Sequence, residues 1–299
     1  MIRPKKVSCW HLFILMLLLA GWTAGCGGQA TRTPPEKLTV TVSILPQKYF
    51  VERVGGEHVS VNVMVGPGAD PHTYEPRPEQ MRALSKSMAY FTIGIEFERA
   101  WLEKFTAANP NMQVVDTLEG VERLAMMHAH EGEEHDEEVD PHVWTSPVRV
   151  KIMAHTIYQT LTRLDPEHRQ TYKANLDAFL ADVDTLDADI RNALSGLKTR
   201  KFMVFHPSWG YFAHDYGLEQ IAIEVGGQEP SAQELAAIIA QAHQEGIRVI
   251  LAQPEFSTRA AETIAREIGG EVLLISPLAP DWLDNMRQVA ETFAEVLNR

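Results

Sequence analysis

The chain has 299 residues, of which 45% are hydrophobic and 22% are charged, and its formal net charge is −13 at pH 7. This length is sufficient for two ordinary domains with substantial cores. The composition is typical of a soluble globular protein, which excludes a disordered chain and a multi-spanning membrane protein. The negative charge argues against nucleic acid as a partner.

The N-terminal segment has the features of a bacterial lipoprotein signal peptide. A basic stretch at residues 3–6 precedes an apolar run at residues 12–20, which is too short to span a bilayer. Small residues then lead to Cys26, so we predict a signal peptide over residues 1–25 and acylation of Cys26. Ordinary signal cleavage is the alternative. Residues 26–37 form a tether, and the protein is expected in the periplasm or at the cell surface, attached to a membrane only through its lipid.

In the first part of the chain, β-branched runs alternate with segments of helical spacing. Strands are predicted at residues 37–46, 57–68, 89–95 and 112–118, and helices at residues 47–56, 77–88 and 99–110. This βαβ pattern favours a parallel sheet. We therefore assign residues 38–145 to an N-terminal α/β lobe.

Two helices that begin with a proline follow this lobe. One begins at Pro147, and the second is predicted over residues 166–197, well above the usual helix length. We assign residues 146–199 to this helical segment. The long helix is interpreted as a rigid connection between two lobes, with a long helix inside a single lobe as the alternative.

The last third of the chain repeats the alternation of strands and helices, over residues 200–299. Strands are predicted at residues 200–205, 219–225, 247–253 and 271–276, and helices at residues 210–217, 231–246, 258–270 and 279–299. The predicted fold is therefore α/β, with two Rossmann-like lobes whose sheets are mainly parallel. A single long α-helix joins the lobes, and the cleft between them is the expected binding site.

Three histidines lie beside prolines at the ends of predicted strands or just before a helix. His72 and His142 each follow Asp-Pro, and His206 precedes a proline. The proline restricts the backbone and so helps to aim the imidazole. Because ligands bind at the carboxyl ends of parallel strands, histidines from two lobes can converge only in the cleft. Each histidine alone is weak evidence, but together they predict a zinc site, since imidazole is a preferred zinc ligand.

A histidine-rich acidic segment at residues 126–138 precedes His142. It contains His128, His130 and His135 among many carboxylates. Such a run is a solvated charged segment, and mixed tracts of histidine and carboxylate also bind divalent cations loosely. We therefore expect these histidines to have an auxiliary, metal-gathering role.

These motifs resemble the metal-binding family of solute-binding proteins that serve bacterial ABC importers, most closely its zinc-uptake branch. The resemblance covers nearly the whole mature chain and is carried by the stretches TVSILPQKYFVERVGG, GADPHTYEPRPEQM, FHPSWGYFAHDYGL, GQEPSAQEL and ISPLAPDW. It implies two lobes joined by a rigid helix, with His72, His142 and His206 as metal ligands. Zinc is favoured over manganese because manganese-binding relatives commonly have a glutamate where this chain has His206. The implied partners are an ABC permease and its ATPase, and we expect a monomer.

One position departs from the pattern of this family. The family usually supplies a fourth ligand from an aspartate that opens an Asp-Pro-Leu motif, and this chain has Ser276 there. A neutral hydroxyl is a poor zinc ligand, so Glu255, Asp281 or a water molecule is the candidate for the fourth position. Unless another residue already fills that corner, the substitution Ser276→Asp should tighten zinc binding.

Two other functions share part of this pattern. Three histidines with an open fourth position also build catalytic zinc sites, so a zinc-dependent hydrolase or hydratase is one alternative. However, the sequence contains neither an HExxH nor a GxSxG motif. A lipid-anchored adhesin is the other alternative, and no sequence feature favours it. The sequence therefore predicts a protein without enzymatic activity that captures zinc outside the cytoplasm and delivers it to an ABC importer.

Overall fold

The computed structural model describes residues 37–126, 139–224 and 228–299. Within these ranges, two parallel sheets form two α/β lobes, as the sequence predicted. No helix in the described part of the chain combines the length and the apolar character needed to cross a membrane.

Several sequence predictions lie outside the described residues. They are the signal peptide with Cys26, almost all of the tether, and His128, His130 and His135 of the acidic segment.

The N-terminal lobe is built on a sheet whose described strands have the order β2-β1-β3-β4. The strands are β1 (Leu38–Val42), β2 (Val59–Val63), β3 (Ala89–Thr92) and β4 (Gln113–Asp116), and the connecting helices are α1 (Leu45–Gly55), α2 (Pro78–Leu84) and α3 (Glu96–Ala108). All pairings are parallel. Every residue of β3 is buried, because helices cover both faces of a parallel sheet.

Two helices that pack against each other connect this lobe to the next one. They are α4 (Pro147–Leu164) and α5 (Arg169–Ala193). Ser146 caps α4 by accepting a hydrogen bond from the backbone N–H of Arg149. The predicted helix over residues 166–197 is shorter in the structure, because a 3₁₀ turn at Pro166–His168 precedes α5 and the chain leaves the helix before Gly196, which has a positive φ.

The C-terminal lobe repeats the architecture of the first, with the described strand order β6-β5-β7-β8 and parallel pairings. Its strands are β5 (Lys201–Val204), β6 (Glu219–Ala222), β7 (Val249–Ala252) and β8 (Glu271–Leu274), and its helices are α6 (Gly210–Tyr216), α7 (Ala232–Glu245), α8 (Arg259–Glu267) and α9 (Trp282–Leu297).

Helices α1, α5 and α9 join the two lobes through one hydrophobic core. The ring of Phe50 in α1 stacks on Phe179 of α5 and meets Trp282 of α9 edge-on, with ring centroids 5.9 and 5.1 Å apart. The indole N–H of Trp282 donates to the backbone carbonyl of Trp144 at 2.8 Å, and the indole N–H of Trp144 donates to the carbonyl of Pro277 at 2.8 Å. Because close-packed cores deform little, this shared core opposes wide opening of the cleft.

Candidate metal centre

The imidazoles of His72, His142 and His206 converge between the two lobes. One ring nitrogen from each lies within 4.8 Å of the others, and the Nε2 atoms of His142 and His206 are 3.2 Å apart. The structure therefore brings together the three histidines that the sequence singled out. In the described part of the chain, no carboxylate oxygen joins these three ring nitrogens within the same distance of 4.8 Å.

Each histidine is placed by a different element of the fold. His72 lies on the loop between β2 and α2, His142 directly precedes the 3₁₀ turn at Val143–Thr145, and His206 follows β5 at the carboxyl edge of its sheet. His142 and His206 are buried, with 5% and 6% of each residue exposed, whereas His72 is exposed. The site thus has two buried imidazoles at its base and one imidazole at its mouth.

Carboxylates orient the two buried rings. His142 Nδ1 lies 2.8 Å from Asp140 Oδ1, and His206 Nδ1 lies 2.6 Å from Glu224 Oε2. A carboxylate that accepts the Nδ1–H proton leaves the Nε2 lone pair available to a metal and makes it a stronger donor. The facing Nε2 atoms of His142 and His206 fit this arrangement.

The Asp-Pro-His tripeptide has a local structural role in both of its copies. Asp70 Oδ1 accepts the backbone N–H of His72 at 2.8 Å, and Asp140 Oδ1 accepts that of His142 at 2.8 Å. Only Asp140 also bonds the ring of its histidine. The carboxylate of Asp140 lies close to the backbone of Gly210 at the start of α6. A side chain at position 210 would clash with it, because a Cβ there would lie 2.5 Å from Asp140 Oδ2.

A buried carboxylate supports the loop beside His72. Glu98 accepts hydrogen bonds from the backbone N–H groups of Ile93 and Gly94 and from the hydroxyl of Ser43. Burial raises the pKa of Glu98 to about 7. This network holds the turn after β3, which leads directly to Glu96, whose Oε2 lies 3.4 Å from His72 Nδ1.

The histidines line a small, mostly apolar cavity of about 20 Å³. Its walls also contain Pro71, Ile95, Glu96, Pro141, Trp144, Glu255, Phe256, Pro277 and Leu278. The ring of Phe256 lies 4.9 Å from that of His206, between centroids. A space of this size accepts one ion or water molecule and excludes an organic ligand.

The candidates for the fourth position occupy different places. Glu255 lines the cavity, and one of its oxygens accepts a hydrogen bond from the hydroxyl of Ser276. Asp281 is the exposed residue before α9, and it is not among the residues that line the cavity. The sequence had not suggested the supporting roles of Asp140, Glu224 and Glu96. Only Asp140 carried a signal, as the first residue of a repeated tripeptide.

The substitution Asp140→Asn is expected to weaken zinc binding by about 10- to 100-fold, the usual effect of losing a carboxylate that orients a metal-bound histidine. A neutral amide accepts the Nδ1–H proton less strongly, so His142 becomes a poorer donor. Competition with a chromophoric chelator measures the affinity. Asp70→Asn is the matched control, since Asp70 does not bond the ring of His72. Equal affinities for the two variants would contradict the role of Asp140.

Comparison with known proteins identifies the family of this two-lobed fold. The model of the family ZnuA, described as zinc-uptake complex component A, periplasmic, matches residues 40–296. The chain belongs to this zinc-uptake family of solute-binding proteins, which confirms the resemblance found in the sequence.

Individual relatives show the same relationship. The chain is 48% identical in sequence to the protein in the crystal structure of ZnuA. The match covers 88% of this chain and 100% of the ZnuA chain, with a TM-score of 0.83. A zinc-bound deletion mutant of ZnuA is 47% identical, with coverages of 88% and 99% and a TM-score of 0.83. The zinc-binding lipoprotein AdcA of Streptococcus pneumoniae is 30% identical over 287 residues, which are 92% of this chain and 55% of AdcA. The chain thus spans about half the length of that curated relative.

Proposed function

We propose that this protein captures zinc outside the cytoplasm and delivers it to an ABC importer composed of a permease and an ATPase. The observation that carries the proposal is the convergence of His72, His142 and His206 within 4.8 Å, in the cleft between two lobes. Membership of the zinc-uptake family supports the same function, as do the zinc-binding relatives AdcA and ZnuA.

The donor atoms favour zinc over manganese. Three imidazole nitrogens suit zinc, which accepts tetrahedral nitrogen sites with Zn–N distances of about 2.0–2.1 Å. Manganese prefers carboxylate, carbonyl and water oxygens. The 3.2 Å separation of the Nε2 atoms of His142 and His206 is the spacing expected for two ligands of one tetrahedral ion.

The architecture suits reversible capture. His142 and His206 are buried and oriented by carboxylates, whereas His72 lies exposed on a loop. Since the shared core limits movement of whole lobes, we expect metal to enter and leave through movement of the loop that carries His72.

Binding without catalysis agrees best with the size of the cavity. A zinc hydrolase or hydratase needs room for its substrate beside the metal, and the cavity of about 20 Å³ is filled by a single ion. Family membership favours transport over catalysis as well. Assays of ester hydrolysis and CO₂ hydration with the zinc-loaded protein distinguish the two, and turnover above that of free zinc would favour an enzyme.

We further propose that the mature protein is a monomer anchored through a lipid on Cys26. The relative AdcA is a lipoprotein by name, which supports the anchor. Mass spectrometry of the membrane-extracted protein tests acylation of Cys26, and size-exclusion chromatography with light scattering tests the monomer.

Metal analysis of the purified protein tests the central proposal. Protein purified without added metal should contain zinc in preference to manganese. The metal-free protein, with residues 127–138 replaced by a short neutral linker, should bind one zinc ion per chain. Absence of zinc binding by this protein would overturn the proposed function.

Zinc affinity is expected to fall as the solution is made more acidic, because protons compete with the metal for imidazole nitrogen. Titrations at about pH 7.5, 6 and 5 with a chelator of known proton affinity measure the change. An affinity that stays constant over this range would contradict ligation by three imidazoles.

A further inference from the structure

Glu255 has one carboxylate oxygen that finds no hydrogen-bond partner among the residues that the structure describes. Its Oε1 atom accepts a hydrogen bond from Ser276. Its Oε2 atom is buried, and no hydrogen-bond donor from the described residues reaches it. A buried polar atom without a partner costs about 1–3 kcal/mol, and more when it is charged. A ligand bound to this oxygen would offset that cost.

The surroundings of Ser276 show how this carboxylate is held. The Ser276 hydroxyl accepts the backbone N–H of Leu278 at 3.0 Å and is therefore free to donate its own proton to Glu255. The backbone carbonyl of Ser276 accepts a hydrogen bond from Asn285 Nδ2 at 2.9 Å. Ser276 is thus fixed at both its side chain and its backbone, and it holds Glu255 at the wall of the cavity.

The charge of a bound zinc ion favours a carboxylate as its fourth ligand. Three neutral imidazoles leave a zinc ion with its full charge of +2 in a cavity whose walls are mostly apolar. A charge is costly in such surroundings unless an opposite charge is paired with it directly. Glu96 lines the same cavity, but its carboxylate is exposed and pairs with His72 Nδ1. Asp140 and Glu224 offset part of this charge from behind the buried histidines, but each is bonded to an Nδ1 atom and neither is available as a ligand.

We infer that Glu255, positioned by Ser276, supplies the carboxylate at the fourth side of the metal site and lowers the charge of the bound ion to +1. This inference rests on the proposed function. Because the carboxylate lies outside the group of three imidazoles, we expect it to turn toward the ion on binding. The Oε2 atom gives up no hydrogen bond in this movement. Ser276 then acts as a positioning residue at the place where the family usually has a ligand.

The substitution Glu255→Gln tests this assignment, with Glu267→Gln as the matched control. Glu267 is exposed near the end of α8, so its substitution removes the same charge away from the cavity. Glu255→Gln should raise the zinc dissociation constant by about 100-fold, near the loss expected for one ligand of a tetrahedral zinc site, and Glu267→Gln should leave it unchanged. Thermal unfolding of the metal-free proteins supplies a second readout. Glu255→Gln should be as stable as the original chain or more stable, since a buried unpaired charge is removed.

A second variant separates loss of a ligand from structural damage. In the double variant Glu255→Gln/Ser276→Asp, a carboxylate returns from the neighbouring position, and most of the lost affinity should return. The absorption spectrum of the cobalt-loaded protein should also change in Glu255→Gln and shift back in the double variant.

The outcomes distinguish this inference from the proposed function. If the original chain binds zinc and Glu255→Gln binds it as tightly as Glu267→Gln, Glu255 has no role at the metal and the inference is overturned. If the original chain does not bind zinc, the proposed function itself fails.

Discussion

Replacing His206 or His142 by alanine is expected to weaken zinc binding by several hundredfold. Structural zinc sites bind with about 10–16 kcal/mol in total, so one of four ligands accounts for roughly 3–4 kcal/mol. Both imidazoles are buried, each is oriented by a carboxylate, and their Nε2 atoms face each other at 3.2 Å. A water molecule that took the place of either imidazole would not be held in this geometry.

The size of the effect should differ among the three histidines. His72 is exposed, and its Nδ1 atom lies 3.4 Å from Glu96, a weaker contact than those of the buried pair. We therefore expect His72→Ala to cost less affinity than His142→Ala or His206→Ala. His155→Ala, on the exposed surface of α4, is the control and should bind zinc normally. Competition titration measures the zinc affinity of all four variants. An unchanged affinity in His206→Ala would contradict the assignment of His206 as a zinc ligand.

Trp282→Ala is expected to lower the free energy of unfolding by about 3–5 kcal/mol, the usual cost of removing a large buried aromatic side chain. Trp282 is 1% exposed, lies edge-on to Phe50, and donates its indole N–H to the carbonyl of Trp144. It therefore joins the C-terminal helix to the N-terminal lobe and to the segment that follows His142. Its removal opens a hole where the two lobes share their core.

Urea unfolding of the metal-free protein measures this effect. Trp282→Phe retains a ring and loses the hydrogen bond, so its cost should be smaller. Trp101→Ala is a further control, because this tryptophan is half-buried on α3 and should cost less than Trp282. A loss below about 1 kcal/mol in Trp282→Ala, within the range of a surface substitution, would show that the lobes do not depend on this contact.

The sequence predicted the fold class because alternation of apolar runs and helical spacings is a local property. It was less accurate for the ends of elements. The second strand was predicted over residues 57–68, whereas β2 ends at Val63. Met64 and Val65 are buried and still donate hydrogen bonds to the first strand and the residue after it. An apolar run in the sequence indicates which residues are buried, and here the buried residues continue beyond the end of the strand.

The proposed metal site was likewise predictable only in part. The three histidines were predicted because each adjoins a proline near the end of a strand or the start of a helix, which is visible in a single sequence. The pairing of His206 with Glu224 was not predicted, since the two residues come together only after β5 and β6 pair side by side. The hydrogen bond between Ser276 and Glu255 also depends on tertiary structure, because their loops follow two different strands.

An anomalous difference map from a crystal of the zinc-loaded protein, with data collected at the zinc absorption edge, would locate the bound ion. A strong peak is expected within bonding distance of the Nε2 atoms of His142 and His206 and of a ring nitrogen of His72. A peak elsewhere, with no density between these three imidazoles, would contradict the proposed metal site.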